Sequence, residues 1–135
     1  MPTDLSHPIR RAIVAHLRAD ANLTALVPAE KIFAEFALSD DLPFIRMGYT
    51  DALPFEASCW SGSENTFTIH AFAKGPSTDG VGQIAKRIVE SMANFSPASL
   101  DGAWQEWTGT IVLPDEVPER LHAVVTFSVT AVEVS

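Results

Sequence analysis

The chain has 135 residues, 47% of them hydrophobic, and sets 9 basic against 17 acidic side chains for a net charge of −8. That length suits a single domain spanning residues 1–135 with a core of its own, and the apolar fraction argues against a disordered chain. The acidic balance argues against general nucleic-acid binding and against adhesion to anionic lipid, since both need a cationic field. The one cysteine, Cys59, can form no internal disulfide and leans towards a reducing compartment. The N-terminal MPTDLSHPIRR lacks the apolar core of a signal peptide, and no apolar run approaches the ~18–20 residues of a membrane span. The expected site of synthesis is therefore the cytosol, with no membrane partner.

Residues 6–20 predict a first helix. Ser6 is placed to cap it, Pro8 is tolerated in the first turn, and Ile9, Ile13 and Leu17 recur on one face with Arg10, Arg11 and Arg18 facing away. Asp20 ends that helix or caps a short second one over 21–27, which Pro28 stops. Residues 31–36 and 43–49 read as short strands separated by a polar turn. Residues 50–62 read as a loop, in which Phe55 and Trp60 are unusual and are expected to dock onto something.

Residues 64–74 alternate, Phe67, Ile69, Ala71 and Ala73 against Thr66, Thr68, His70 and Phe72, which predicts a strand ended by Gly75-Pro76. Ser77 or Thr78 then caps the main helix, running to about Asn94, with Val81, Ile84, Ala85, Ile88, Val89, Met92 and Ala93 in one stripe. A strand over 104–113 is interrupted or bulged at Gly109. The last stretch, 121–134, is the longest strand. Its odd positions Leu121 to Ala131 are wholly apolar, and its even positions mix His122, Thr126, Ser128 and Thr130 with Val124 and Val132. Extended, it would span roughly 45 Å, so it is expected to bend or to end in an arm. The fold class is α+β: a mainly antiparallel sheet of about five strands, two main helices on one face, in the order α-β-β-β-α-β-β.

Chemistry is sparse. His7, His16, His70 and His122 share no ligand spacing, and His16 reads as a packed histidine of the helix stripe. Cys59 sits in no recognisable nucleophile context, and Gly80-x-Gly82 lacks the third glycine of a phosphate loop. No catalytic residue, cofactor or metal is expected. The aromatics carry more: Phe55, Trp60 and Trp104 lie in or beside loops, where such side chains favour protein contacts, while Trp107 is expected in the core.

The order of elements resembles the tail-completion or tail-terminator proteins of long-tailed bacteriophages, including small tail-cluster proteins of prophages and gene transfer agents. The resemblance covers nearly the whole chain. It is carried by Leu17, Ala19, Asp20, Leu23, Ala25, Leu26 and Val27; by Lys31, Ile32 and Phe33; by Leu42, Pro43, Phe44, Ile45 and Gly48; and by Arg120, His122, Ala123, Val124, Phe127 and Val129. It implies a structural, non-enzymatic virion protein made in the bacterial cytoplasm. Such proteins form a homo-hexameric ring on the head-proximal end of the tail tube, end tube growth and present the head-joining surface. The implied partners are other copies of the chain, the tail tube protein and a head–tail connector or stopper protein, with DNA passing through unbound. Candidate contact residues are Phe55, Trp60, Trp104, Val132 and Val134, and a charge at Val132 is expected to weaken the ring while sparing the fold. The alternatives are another connector ring, or a small ligand-binding or enzymatic domain built around His70, His122 and Cys59.

Overall fold

The computed structural model describes residues 4–34, 41–57, 60–96 and 102–134. At 55–57, 60, 102–104 and 133–134 it describes the backbone alone. The elements are α1 (Ser6–Ala19), α2 (Ala21–Thr24), a 3₁₀ turn (Ala29–Lys31), β1 (Ile32–Phe33), β2 (Phe44–Ala57), β3 (Trp60–Lys74), α3 (Asp79–Met92), β4 (Gly102–Pro114) and β5 (Arg120–Val134). The five strands form one sheet in the order β1-β2-β3-β5-β4. The expected α+β class and element order are those of the structure. The pairing is antiparallel except at its margin, where the two residues of β1 run parallel to β2.

The central ladder joins β3 to β5 from Trp60↔Val134 to Lys74↔Arg120 without a register shift. The period-two pattern of both strands therefore stays in phase. Phe67, Ile69 and Ala71 lie on the same face as Ala123, Val125, Phe127 and Val129, all buried. Ile9, Ile13, Val14 and Leu17 of α1, and Val81, Ile84, Ala85, Ile88 and Met92 of α3, complete that core. Each Val, Leu, Ile, Phe or Met among them contributes about 1.5–3 kcal/mol on burial.

Each outer strand of the long four carries one bulge. On β2 the register slips between Met47 and Thr50, and on β4 between Trp107 and Gly109, the latter where the glycine predicts it. Both slips flank the same rung, Thr68↔Thr126, and Thr108 Oγ1 donates to the Thr126 carbonyl there at 3.2 Å. Bulges add bend and twist. Their alignment puts that deformation across the width of the sheet at one level.

Several local expectations are corrected. Residues 50–57 and 60–62 are strand where a loop was expected: β2 runs to Ala57 and β3 begins at Trp60, so Phe55 and Trp60 stand on paired strands. Pro54 and the glycines mimicked loop punctuation, but Gly62 is needed by the ladder itself, since a Cβ there would run into the Ala131 carbonyl. Ser6 does not cap α1; its N–H donates to Asp4 Oδ1 at 2.9 Å. Asp20 does cap α2, accepting from the N–H groups of Asn22 and Leu23.

Arg10 and Arg18 do not simply face away. Arg10 donates to the carbonyls of Gly48 (2.7 Å) and Ala34 (2.8 Å), and Arg18 to that of Ile32 (2.6 Å). They clamp α1 to the margin of the sheet.

A polar chain crosses the core where alternation alone predicts apolar residues. The Leu5 N–H donates to Ser63 Oγ at 3.1 Å, Ser63 Oγ donates to Asn65 Oδ1 at 3.1 Å, and Asn65 Nδ2 donates to the Val129 carbonyl at 2.9 Å. Asn65 is fully buried. Replacing it by Ala leaves buried acceptors without their donor and is expected to cost about 1–3 kcal/mol. Urea unfolding of Asn65→Ala against the parent chain measures this.

Candidate interaction surfaces

The ladders bring the five contact candidates to one end of the sheet. Phe55 pairs with Gly62, Trp60 with Val134, Trp104 with Thr130, and Val132 stands between Gly62 and Gly102. They occupy the same phase of the pleat on four adjacent strands. Val132 is itself buried, 5% exposed, so a charge there disturbs its own sheet as well as any neighbour. That corrects the expectation that such a change spares the fold: the Val132 side chain is buried, and its backbone lies so close to Gly62 that a Cβ there would meet the Val132 Cα.

Trp107 is also corrected. It is half exposed rather than in the core, standing on a strand that has β5 on one side only; its Nε1 donates to Thr110 Oγ1 at 3.0 Å. With Val112, Thr110, Val89, Ala85 and Gly82 it lines a shallow apolar groove of about 330 Å³ between β4 and α3.

His70 and His122, on separate strands, do meet. On the helix-free face Phe44, Phe72 and His122 stack in succession, with centroids 4.5 and 4.2 Å apart. The Arg46 and Arg120 guanidinium groups lie 5.4 and 5.1 Å from the Phe72 centroid. Arg120 pairs closely with Asp115, whose carboxyl stays below the ordinary range. Burial works against that charge, but the Arg120 hydrogen bond and charge, with backbone N–H groups of the β4–β5 turn, outweigh it. His70 Nδ1 and His122 Nε2 are 2.6 Å apart, and His70 Nε2 is 3.0 Å from Thr68 Oγ1.

Two imidazoles so placed share one proton between them, one donating and the other accepting. Burial, then the charge of Arg46, then His122 push His70 down to about 4, and burial also lowers His122. Both rings are neutral at pH 7 and engaged with protein partners. This is a small second core with cationic covers. Cys59 lies outside the described residues, and Trp60 beside it in sequence is roughly 30 Å along extended strand from His70. Among the described residues no three His, Cys, Asp or Glu side chains gather as a metal site. His16 packs as expected: its Nε2 is 2.7 Å from the Ser91 carbonyl and its ring meets Phe95 edge-on.

A five-stranded sheet covered on one face by α1 and α3 defines the class, a small α+β domain. The chain belongs to the family of tail completion protein gp17, whose model matches residues 11–131. It is thereby a structural protein of phage-type tails, resident in the virion particle. The fold is shared with a chain from the virion of a native gene transfer agent particle, at 18% identity and a TM-score of 0.75 over 93% of this chain and 95% of that one. No curated protein sequence matches the chain.

Two outcomes follow from the histidine cluster. The unfolded chain binds protons at these rings below about pH 6.5, whereas the folded His70 resists until about 4. Stability is therefore full above 6.5 and falls as the pH drops through that window. Melting temperatures between pH 7 and 4 are expected to fall for the parent chain and to fall less for His70→Gln. Gly48 lies directly against the Thr68 hydroxyl and the His70 ring, leaving no room for a Cβ. Gly48→Ala should lower the melting temperature by several degrees at pH 7.

Proposed function

We propose that the chain forms a ring, of six copies, on the head-proximal end of the tail tube, where it ends tube polymerisation and offers the surface to which the head is joined. The observation that carries this reading is membership of the tail completion family across nearly the whole domain. The likeness in fold to a chain of a gene transfer agent virion supports it. The action is binding and assembly without chemistry.

The partners on this reading are neighbouring copies, the tail tube protein and a connector or stopper protein on the head side. A net charge of −8 suits a ring through which DNA slides, since negative walls do not trap a polyanion. The aromatic end of the sheet, with Phe55, Trp60, Trp104, Val132 and Val134, is the contact surface of this proposal. Its strands are tied to their neighbours up to Ala57, Trp60 and Val134, so a contact made there is backed by the central ladder.

Deleting the chain from a producing cell is expected to give tails of uncontrolled length that fail to join heads, seen by negative-stain microscopy. Tails of unchanged length joined to heads in its absence would refute the reading. Trp60→Ala with Trp104→Ala should reduce incorporation into particles while circular dichroism shows the fold retained. Full incorporation of that double variant would remove the aromatic end from the contact.

A further inference from the structure

The sheet has two open margins, and its exposed large apolar side chains lie on them. Among the described residues, Tyr49 (63% exposed) and Leu53 (56%) stand on β2, beyond the two positions that β1 covers. Trp107 (51%), Ile111 (62%), Val112 and Leu113 stand on β4 at the opposite margin, with Val117 in the adjoining turn. Arg10 occupies the β2 margin only as far as Gly48 and Thr50. From Asp51 to Ala57 no described strand lies outside β2, and none lies outside β4 along its whole length.

An edge strand carries a row of backbone donors and acceptors, and proteins ordinarily blunt such edges with Lys or other charges. Here Trp107 to Leu113 reads WTGTIVL, with no charge in a chain of net −8. The β2 margin is blunted by Asp51, Pro54 and Glu56 but still presents Leu53, and proline is tolerated in an edge strand. Both margins share one sheet and are different surfaces. A contact between two different surfaces of identical subunits is heterologous, the kind that closes into rings. A like-with-like contact would leave one of the two apolar margins bare in every copy.

We infer that the β4 margin of one copy docks against the β2 margin, residues 49–57, of the next, so that the sheets run edge to edge around an assembly of this chain. The occupant of each margin is thus a second copy, presenting Tyr49 and Leu53 to the strip from Trp107 to Leu113. This inference rests on the ring reading and specifies its subunit contact. Tyr49, Leu53 and Ile111 are mostly solvent-exposed in one subunit, so they are available for it without any change of fold.

The test is cross-linking in assembled particles, in a Cys59→Ser background, with Leu53→Cys, Ile111→Cys or both, and a short bis-maleimide. The doubly substituted chain is expected to give a ladder of multiples of its own mass on a denaturing gel, and each single variant only monomer. A dimer from Ile111→Cys alone would overturn the inference in favour of a like-with-like β4 contact, and a cross-link to a different tail protein would overturn it in favour of a foreign occupant. A double variant present in particles at ring copy number yet not cross-linked would overturn the edge pairing and leave the ring reading intact. Finding the chain in particles at copy numbers or positions foreign to a tail-end ring would overturn both.

Discussion

The structure depends first on the β3–β5 ladder. Fifteen rungs, Trp60↔Val134 to Lys74↔Arg120, run without a slip. A shift of one residue would turn every side chain of one strand to the wrong face. Because none occurs, two apolar half-faces coincide and give α1 and α3 a continuous floor. The long reach of the ladder carries the sheet to its aromatic end. The bulges are placed on the outer strands, flanking Thr68↔Thr126, so the sheet can deform there without breaking its central register.

The two faces of the ladder are finished by different physics. The helix side is closed by aliphatic packing and by arginines that reach past it to the carbonyls of the sheet margin. The helix-free side has no second layer among the described residues. Its Phe44 and Phe72 are nevertheless buried, because stacking rings and cationic side chains from β2 and β5 cover them. The neutral histidine pair belongs to that construction: charging either ring beside Arg46 would place like charges together in a desolvated site. Gly48 gives the ring its room.

Much of this was legible in the chain. Alternation at Phe67–Ala73 and Leu121–Ala131, the stripe from Val81 to Met92 and the bulge at Gly109 are local patterns with one solution each. What was not legible has a common cause. Pro54 and Gly62 carry loop chemistry in sequence, yet one is tolerated on an open margin and the other is demanded by the Ala131 backbone. Arg10 and Arg18 look like solvated charges until α1 is laid beside carbonyls left open where the sheet ends. Asn65 looks out of place until Leu5, Ser63 and Val129 surround it. Each depends on a partner far along the chain, which no local window contains. His70 and His122 were already grouped by one alternative reading of the chain, and the structure does bring them together, 2.6 Å apart.

The candidate contact residues pose the converse problem. Aromatic composition pointed to Phe55, Trp60 and Trp104 without saying that they share a place, and the ladders supply the place. Trp107 went the other way: it was expected in the core, but a core strand needs partners on both sides, and β4 has β5 on one side only. A strand with an apolar pattern at a sheet margin is poised between burial and association. In a subunit whose family completes tails, association is the use we propose for such a margin, because a neighbouring copy docked there would remove the cost of an exposed apolar edge.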